Sequence, residues 1–167
     1  MGLIDVSKEH TFKSFYRFRR LFPEEAAQKP VLVVLCGPSH AGKTTFANRL
    51  LKYDRNVAII SPDEIRKRLC IYFGDSKYEG EVWDIYESLK LKALSKGRNV
   101  VLDACHISKR ARWHGLQGPN GRYRKICIVF DLPWPVIRDR CLKDGRMTLE
   151  KVRRTWKAFQ REKLTPD

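Results

Sequence analysis

Residues 37 to 44 read GPSHAGKT, and they stand directly behind the uninterrupted apolar run VLVVL, Val31 to Leu35. An apolar run of this kind predicts a strand buried on both faces, and Thr44 to Leu51 behind the octapeptide carries helical periodicity. The octapeptide fits G-x-x-x-x-G-K-[ST] in the strand-to-helix context that this pattern requires. With average residue frequencies such a match arises by chance in a chain of this length at roughly the 1% level or below. Backbone N–H groups from about Ser39 to Thr44 can curl around phosphate oxygens, reinforced by the positive end of the helix. Lys43 is then expected at the β- and γ-phosphates and the Thr44 hydroxyl at a magnesium ion. Gly37, Ser39, His40, Ala41, Gly42, Lys43, Thr44 and Thr45 form the candidate nucleotide-binding set. Two positions are unusual, Ser39 where many such loops have Pro and His40 where many have Gly. If His40 must adopt positive φ, histidine tolerates it better than most side chains.

Outward from this loop the pattern repeats. Val57 to Ile60, Val100 to Leu102 and Ile126 to Phe130 are further short apolar runs. Between and after them Asp63 to Cys70, Glu81 to Leu94, Ser108 to about Leu116, Pro135 to Leu142 and Thr148 to Glu162 read as helices, with Gly145 breaking the last two apart. The last start rests on periodicity and the lone capping hydroxyl of Thr148. Strands alternating with helices predict an α/β fold, a parallel sheet flanked by helices. Gln117 to Lys125, with Gly118, Pro119, Gly121, Arg122 and Arg124, reads as an exposed basic loop. Residues 1 to 29 stand apart as an N-terminal extension, and 30 to 167 as the main domain. In the extension Phe12, Phe15, Tyr16, Phe18 and Phe22 interleave with Lys13, Arg17, Arg19 and Arg20. That interleaving suits either an amphipathic docking helix or a stacking and phosphate-binding patch.

A chain of 167 residues has room for about one ordinary domain, and a composition 43% hydrophobic and 32% charged excludes wholesale disorder. The 34 Lys and Arg against 19 Asp and Glu give a net charge of +15, which directs attention to polyanions: nucleic acid, anionic membrane surfaces or phosphorylated small molecules. Five scattered cysteines, Cys36, Cys70, Cys105, Cys127 and Cys141, fit neither a disulfide framework nor a zinc cluster. The chain has no apolar run of signal-peptide or membrane-span length. Although it begins Met-Gly, Val6 stands where the myristoylation pattern needs Ser or Thr. A reducing, cytoplasmic setting without a membrane anchor is the expectation.

The remaining polar residues cluster behind the strands. After the second strand, Ser61 or Asp63 can cap a helix that presents Asp63 and Arg66 on one face. At the carboxyl end of a strand that face borders the ligand crevice. A carboxylate there can accept the proton of an attacking hydroxyl, and a guanidinium can hold a phosphate. Asp103, closing the third strand, can orient Arg66 or bind the metal through water. Arg138, Arg140, Lys143 and Arg146 surround the break at Gly145, as in a lid over nucleotide phosphates.

Taken in order, GPSHAGKTTFA, SPDEIR, VVLDACHISKRARW and IVFDLPWPVIRDRC, followed by Arg146, resemble the P-loop kinase module of phage and bacterial 5′-polynucleotide kinases. The resemblance covers about Val31 to Phe159 and implies a P-loop NTPase fold with a helical lid at about 134 to 150. It implies ATP- and Mg²⁺-dependent transfer to the 5′-hydroxyl of DNA or RNA. Asp63 would be the general base, Arg66 would grip the acceptor's 3′-phosphate, and Asp103 would position Arg66. Lys43 and Thr44 would handle ATP and Mg²⁺, while Arg140 and Arg146, or Lys143 in place of Arg146, would serve from the lid. Arg110 and Trp113 would lie on the helix after Asp103, with Arg110 on the substrate side. Ala104 and Cys105 depart from the Thr-Asn common in the family. Two alternatives remain open on sequence: a kinase of a small hydroxylated acceptor such as a nucleoside, sugar or antibiotic, and a non-catalytic nucleic-acid-binding protein with an ATP switch, against which Asp63 argues.

Overall fold

In the computed structural model, residues 2–5, 29–71, 76–119 and 123–162 are described. Five strands form one sheet: β1 (Gly2–Asp5), β2 (Val31–Cys36), β3 (Val57–Ile60), β4 (Asn99–Leu102) and β5 (Arg124–Val129). The helices are α1 (Lys43–Tyr53), α2 (Pro62–Arg68), α3 (Glu79–Ser95), α4 (Lys109–Gly115), α5 (Trp134–Asp144) and α6 (Leu149–Glu162), with a 3₁₀ turn at Ser76–Tyr78 before α3. All strand pairs are parallel, in the order β1-β5-β2-β4-β3.

All six residues of β2 are fully buried. Their side chains alternate between two cores. Val31, Val33 and Leu35 pack with Ala47 and Leu50 of α1, Ile137 and Cys141 of α5, and Val152 of α6. Leu32, Val34 and Cys36 pack with Ile65 of α2, Val82 and Tyr86 of α3, and Phe159 of α6. Burying each such side chain contributes about 1.5–3 kcal/mol, so β2 is the sheet's apolar axis. The connection out of β2 passes β4 to reach β3, while that out of β4 passes β2 to reach β5. Opposed crossovers at neighbouring strands open a crevice at their carboxyl ends.

The α/β class, the parallel sheet and its flanking helices are as the sequence pattern predicts. Three local readings change. Arg124 and Lys125, expected in a loop, begin β5, where Arg124 N–H donates to Pro30 O at 2.8 Å and both side chains stay exposed. Ser61 stands at the N-cap of α2 but makes no side-chain cap bond, and Pro62 opens that helix instead. Residues 2–5 of the expected extension form β1, paired with β5 from Gly2↔Ile126 to Asp5↔Val129. The aromatic and basic cluster from Phe12 to Phe22, and Gly121 and Arg122, lie outside the described residues. Among the described residues no helix is long and apolar enough to cross a membrane, and all five cysteines are free thiols.

Gly37 terminates β2 at φ 154°, where a Cβ would lie 2.8 Å from Phe130 O and 2.9 Å from Phe130 Cβ. The obstacle includes backbone, so no side-chain rotation relieves it. Gly37→Ala is expected to destabilise the protein by about 1–3 kcal/mol in denaturant titration. A midpoint equal to that of the wild type would show that the β2 and β5 exits yield freely.

Candidate active site

The loops leaving β2, β3 and β4 converge on a cleft of 1730 Å³. Ser39 to Thr45, Asp63, Arg66, Asp103, Arg110, Arg140 and Arg146 all line it. Gly37, at the start of the phosphate loop, lies off its wall. Its N–H donates to Cys105 O at 2.9 Å, tying the phosphate loop to the segment after β4.

Gly42 caps α1 in the left-handed conformation, with no side-chain cap bond and no acidic residue in the first turn. The helix therefore presents its positive end to the cleft. Lys43, 7% exposed, arches back so that its ammonium donates to Gly37 O at 3.0 Å and Pro38 O at 2.7 Å. His40 sits at φ 64°, the conformation in which histidine is tolerated.

Thr44 stands beside the carboxyl of Asp103 on the neighbouring strand's exit, with the Lys43 ammonium near by. Burial raises the Asp103 pKa, while the Thr44 hydroxyl and the Lys43 charge oppose that rise. A hydroxyl and a carboxylate side by side are hard oxygen donors of the kind that hold Mg²⁺ together with nucleotide phosphates. Among the described residues no cluster of three His, Cys, Asp or Glu side chains forms a cage of its own.

Asp63 and Arg66 occupy one face of α2, as their spacing predicts, with Arg66 Nη1 2.6 Å from Asp63 Oδ1. The Asp63 side chain is 71% exposed, whereas that of Arg66 is 10% exposed. The rest of the guanidinium goes to Glu79 at the start of α3, with Nε on Oε1 at 2.7 Å and Nη2 on Oε2 at 2.8 Å. This bidentate pair raises the Arg66 pKa and lowers that of Glu79, the hydrogen bonds being the main cause for each. Glu79 thus orients Arg66, one of the two roles that the sequence reading offered to Asp103, and Asp103 stands beside Thr44, where its other expected role, on the metal, lies. Glu79 lies 13 residues from Arg66, beyond any spacing rule for one helix face.

The opposite wall comes from α5 and α6. Arg140 Nη1 donates to His40 O at 3.2 Å. Arg146, 82% exposed, pairs through Nε with Asp144 at 2.7 Å, and Asp144 also meets His40 Nε2 at 3.0 Å. The Arg146 and His40 hydrogen bonds hold the Asp144 carboxyl below its usual pKa. Of the two lid candidates, Arg146 lines the cleft and Lys143 does not. Arg154 on α6 lines it too, unforeseen from sequence because it belongs to a helix with an evenly basic face. Trp113 is 61% exposed and lies off the cleft wall, edge-on to His114.

His106, which beside Cys105 invites a metal reading, has both ring nitrogens occupied, Nδ1 on Leu35 O at 2.9 Å and Nε2 on Tyr86 Oη at 3.2 Å. Buried Arg112 donates to His106 O, Ile107 O and Glu162 O, bracing the same loop.

A phosphate loop behind the central strand of a parallel sheet, a carboxylate on the next strand's exit and arginines from a helical pair across the cleft define a P-loop kinase fold. The AAA domain family profile matches residues 32–162, and the chain belongs to that family. No functionally curated protein gives a sequence match. Among solved structures, a chain of the Pnkp1/Rnl/Hen1 RNA repair complex superposes with a TM-score of 0.72 at 22% identity, over 84% of this chain and 47% of that one. This protein therefore spans less than half of that chain's length. A gluconokinase from Sinorhizobium meliloti 1021 gives 0.52 at 13% identity, over 78% of this chain and 75% of its own. Shikimate kinase from Acinetobacter baumannii gives 0.51 at 19%, over 81% and 74%.

Burial lowers the His106 pKa from its ordinary 6.5 to about 4. As pH falls, the unfolded chain takes up this proton first, so stability is full above about pH 6.5 and is lost towards pH 4. The gap corresponds to roughly 3 kcal/mol at most. Urea unfolding between pH 7 and pH 4 should show this loss, and His106→Asn should flatten it. Equal slopes in the two proteins would refute the assignment.

Proposed function

We propose that this protein transfers the γ-phosphoryl group of ATP, with Mg²⁺, to the 5′-hydroxyl end of a nucleic acid. The observation that carries this reading is the open Asp63 carboxylate, held by Arg66 in the same cleft as the phosphate loop. Asp63 accepts the proton of the acceptor hydroxyl as that oxygen attacks. Lys43, Arg140 and Arg146 balance charge on the transferring phosphoryl group, and the N–H groups from Ser39 to Thr45 hold the donor phosphates. Thr44 and Asp103 would hold Mg²⁺, which would supply positive charge to the donor phosphates. Arg110 stands at the acceptor mouth.

The likeness to the RNA repair complex and the net charge of +15 support a polymeric acceptor. Five free thiols suit a reducing, cytoplasmic setting in which such a kinase would take part in nucleic acid repair. One observation favours a second reading, a small hydroxylated acceptor: two carboxylates already engage the Arg66 guanidinium that would otherwise clamp an acceptor phosphate.

Incubation with γ-labelled ATP, Mg²⁺ and 5′-hydroxyl oligonucleotides should label the oligonucleotide ends. Label carried only by sugars or nucleosides would replace this reading with the second. Asp63→Asn should lower kcat by at least about 100-fold while ATP binding stays near that of the wild type. Equal loss of both would remove Asp63 from its role as base.

A further inference from the structure

Trp83 lies on α3, whose residues buried against the sheet are Val82, Tyr86, Lys90, Ala93 and Leu94. It stands one position off that stripe and remains 41% exposed, on the wall of the cleft. A large apolar ring left half-open to solvent costs free energy. Trp83 stands one helical turn from Glu79, the residue that grips Arg66 and through it Asp63. Its ring rests edge-on against Tyr86, with centroids 5.1 Å apart and planes at 73°. Tyr86 is fully buried and tied through His106 to Leu35 O, immediately before the phosphate loop. The indole therefore stands between the Glu79–Arg66–Asp63 chain and the Tyr86–His106 link to the strand that carries the loop.

A half-open aromatic surface braced edge-on by a buried tyrosine in a polar cleft is a stacking platform for a flat ring. Lys67 and Arg110, exposed on the same cleft, supply cations for phosphates leading away from it. We propose that Trp83 stacks on the nucleobase of the acceptor's terminal nucleotide and so selects a nucleotide end over a sugar. This rests on the proposed function and names the recognition element of that same site.

The test pairs a protein change with a substrate change in the full-length chain. Trp83→Ala should raise KM for a 5′-hydroxyl oligonucleotide about tenfold with kcat little altered, while Trp83→Phe retains most of the affinity. An oligonucleotide whose 5′-terminal residue is an abasic deoxyribose should show the same penalty on the wild type and no further penalty on Trp83→Ala. An unchanged KM, or equal losses on both substrates, would overturn the stacking role while leaving the kinase reading intact. Indole fluorescence separates the two claims: quenching by the oligonucleotide in the wild type but not in Trp83→Phe, without any transfer, would uphold stacking and reject the kinase reading. A Trp83-dependent KM for a sugar would reject the nucleobase.

Discussion

The structure depends on the complete burial of β2. With both faces covered by helices and both edges paired, by β4 and β5, the strand cannot slide by one residue without exchanging its two cores. Its end is therefore fixed in space, and Gly37 must leave it against the backbone of Phe130. From there seven residues bring the chain to the first turn of α1. The phosphate loop is thus a consequence of packing on one side and of a helix start on the other.

The same strand organises the second half of the site. Because β4 is its neighbour, Asp103 emerges beside Thr44, and because β3 lies beyond β4, Asp63 emerges farther out. The three loops are ordered across the cleft as the strands are ordered in the sheet: phosphate loop, Asp103, Asp63. His106 links the levels again, since its neutral ring joins Leu35 O of the central strand to Tyr86 of α3. Burial that keeps this ring uncharged thereby also keeps α3 in register with the loop.

Much of this is legible in the sequence because it depends on periodicity over a few residues. The four apolar runs, the six helix stretches and the Gly-Lys-Thr junction are local signals, and the structure carries all of them. The Asp63–Arg66 pair is legible for the same reason, being a spacing of three on one helix. Glu79 is not, because its partner lies 13 residues away and only the packing of α3 against α2 brings the two together. Arg154 and Trp83 escape notice differently: each sits in a helix of mixed composition, and which face meets the cleft is decided by the tertiary fold. β1 is only four residues long, too short to carry a periodic signal of its own, and its place at the sheet edge comes from its pairing with the open side of β5.

The net charge takes a different meaning once positions are known. Arg112 is buried as a brace for backbone carbonyls, and Lys90 is buried against Glu87. Arg66 answers to two carboxylates. Within the cleft, Lys43, Arg49, Arg66, Lys67, Arg110, Arg140, Arg146 and Arg154 share the wall with Asp63, Glu87, Asp103, Asp144 and Glu162, so part of the positive charge is answered by carboxylates on the spot. Affinity for a polyanionic acceptor then scales with the few cations that meet its backbone and not with the whole +15, because only phosphates that are actually neutralised release counterions.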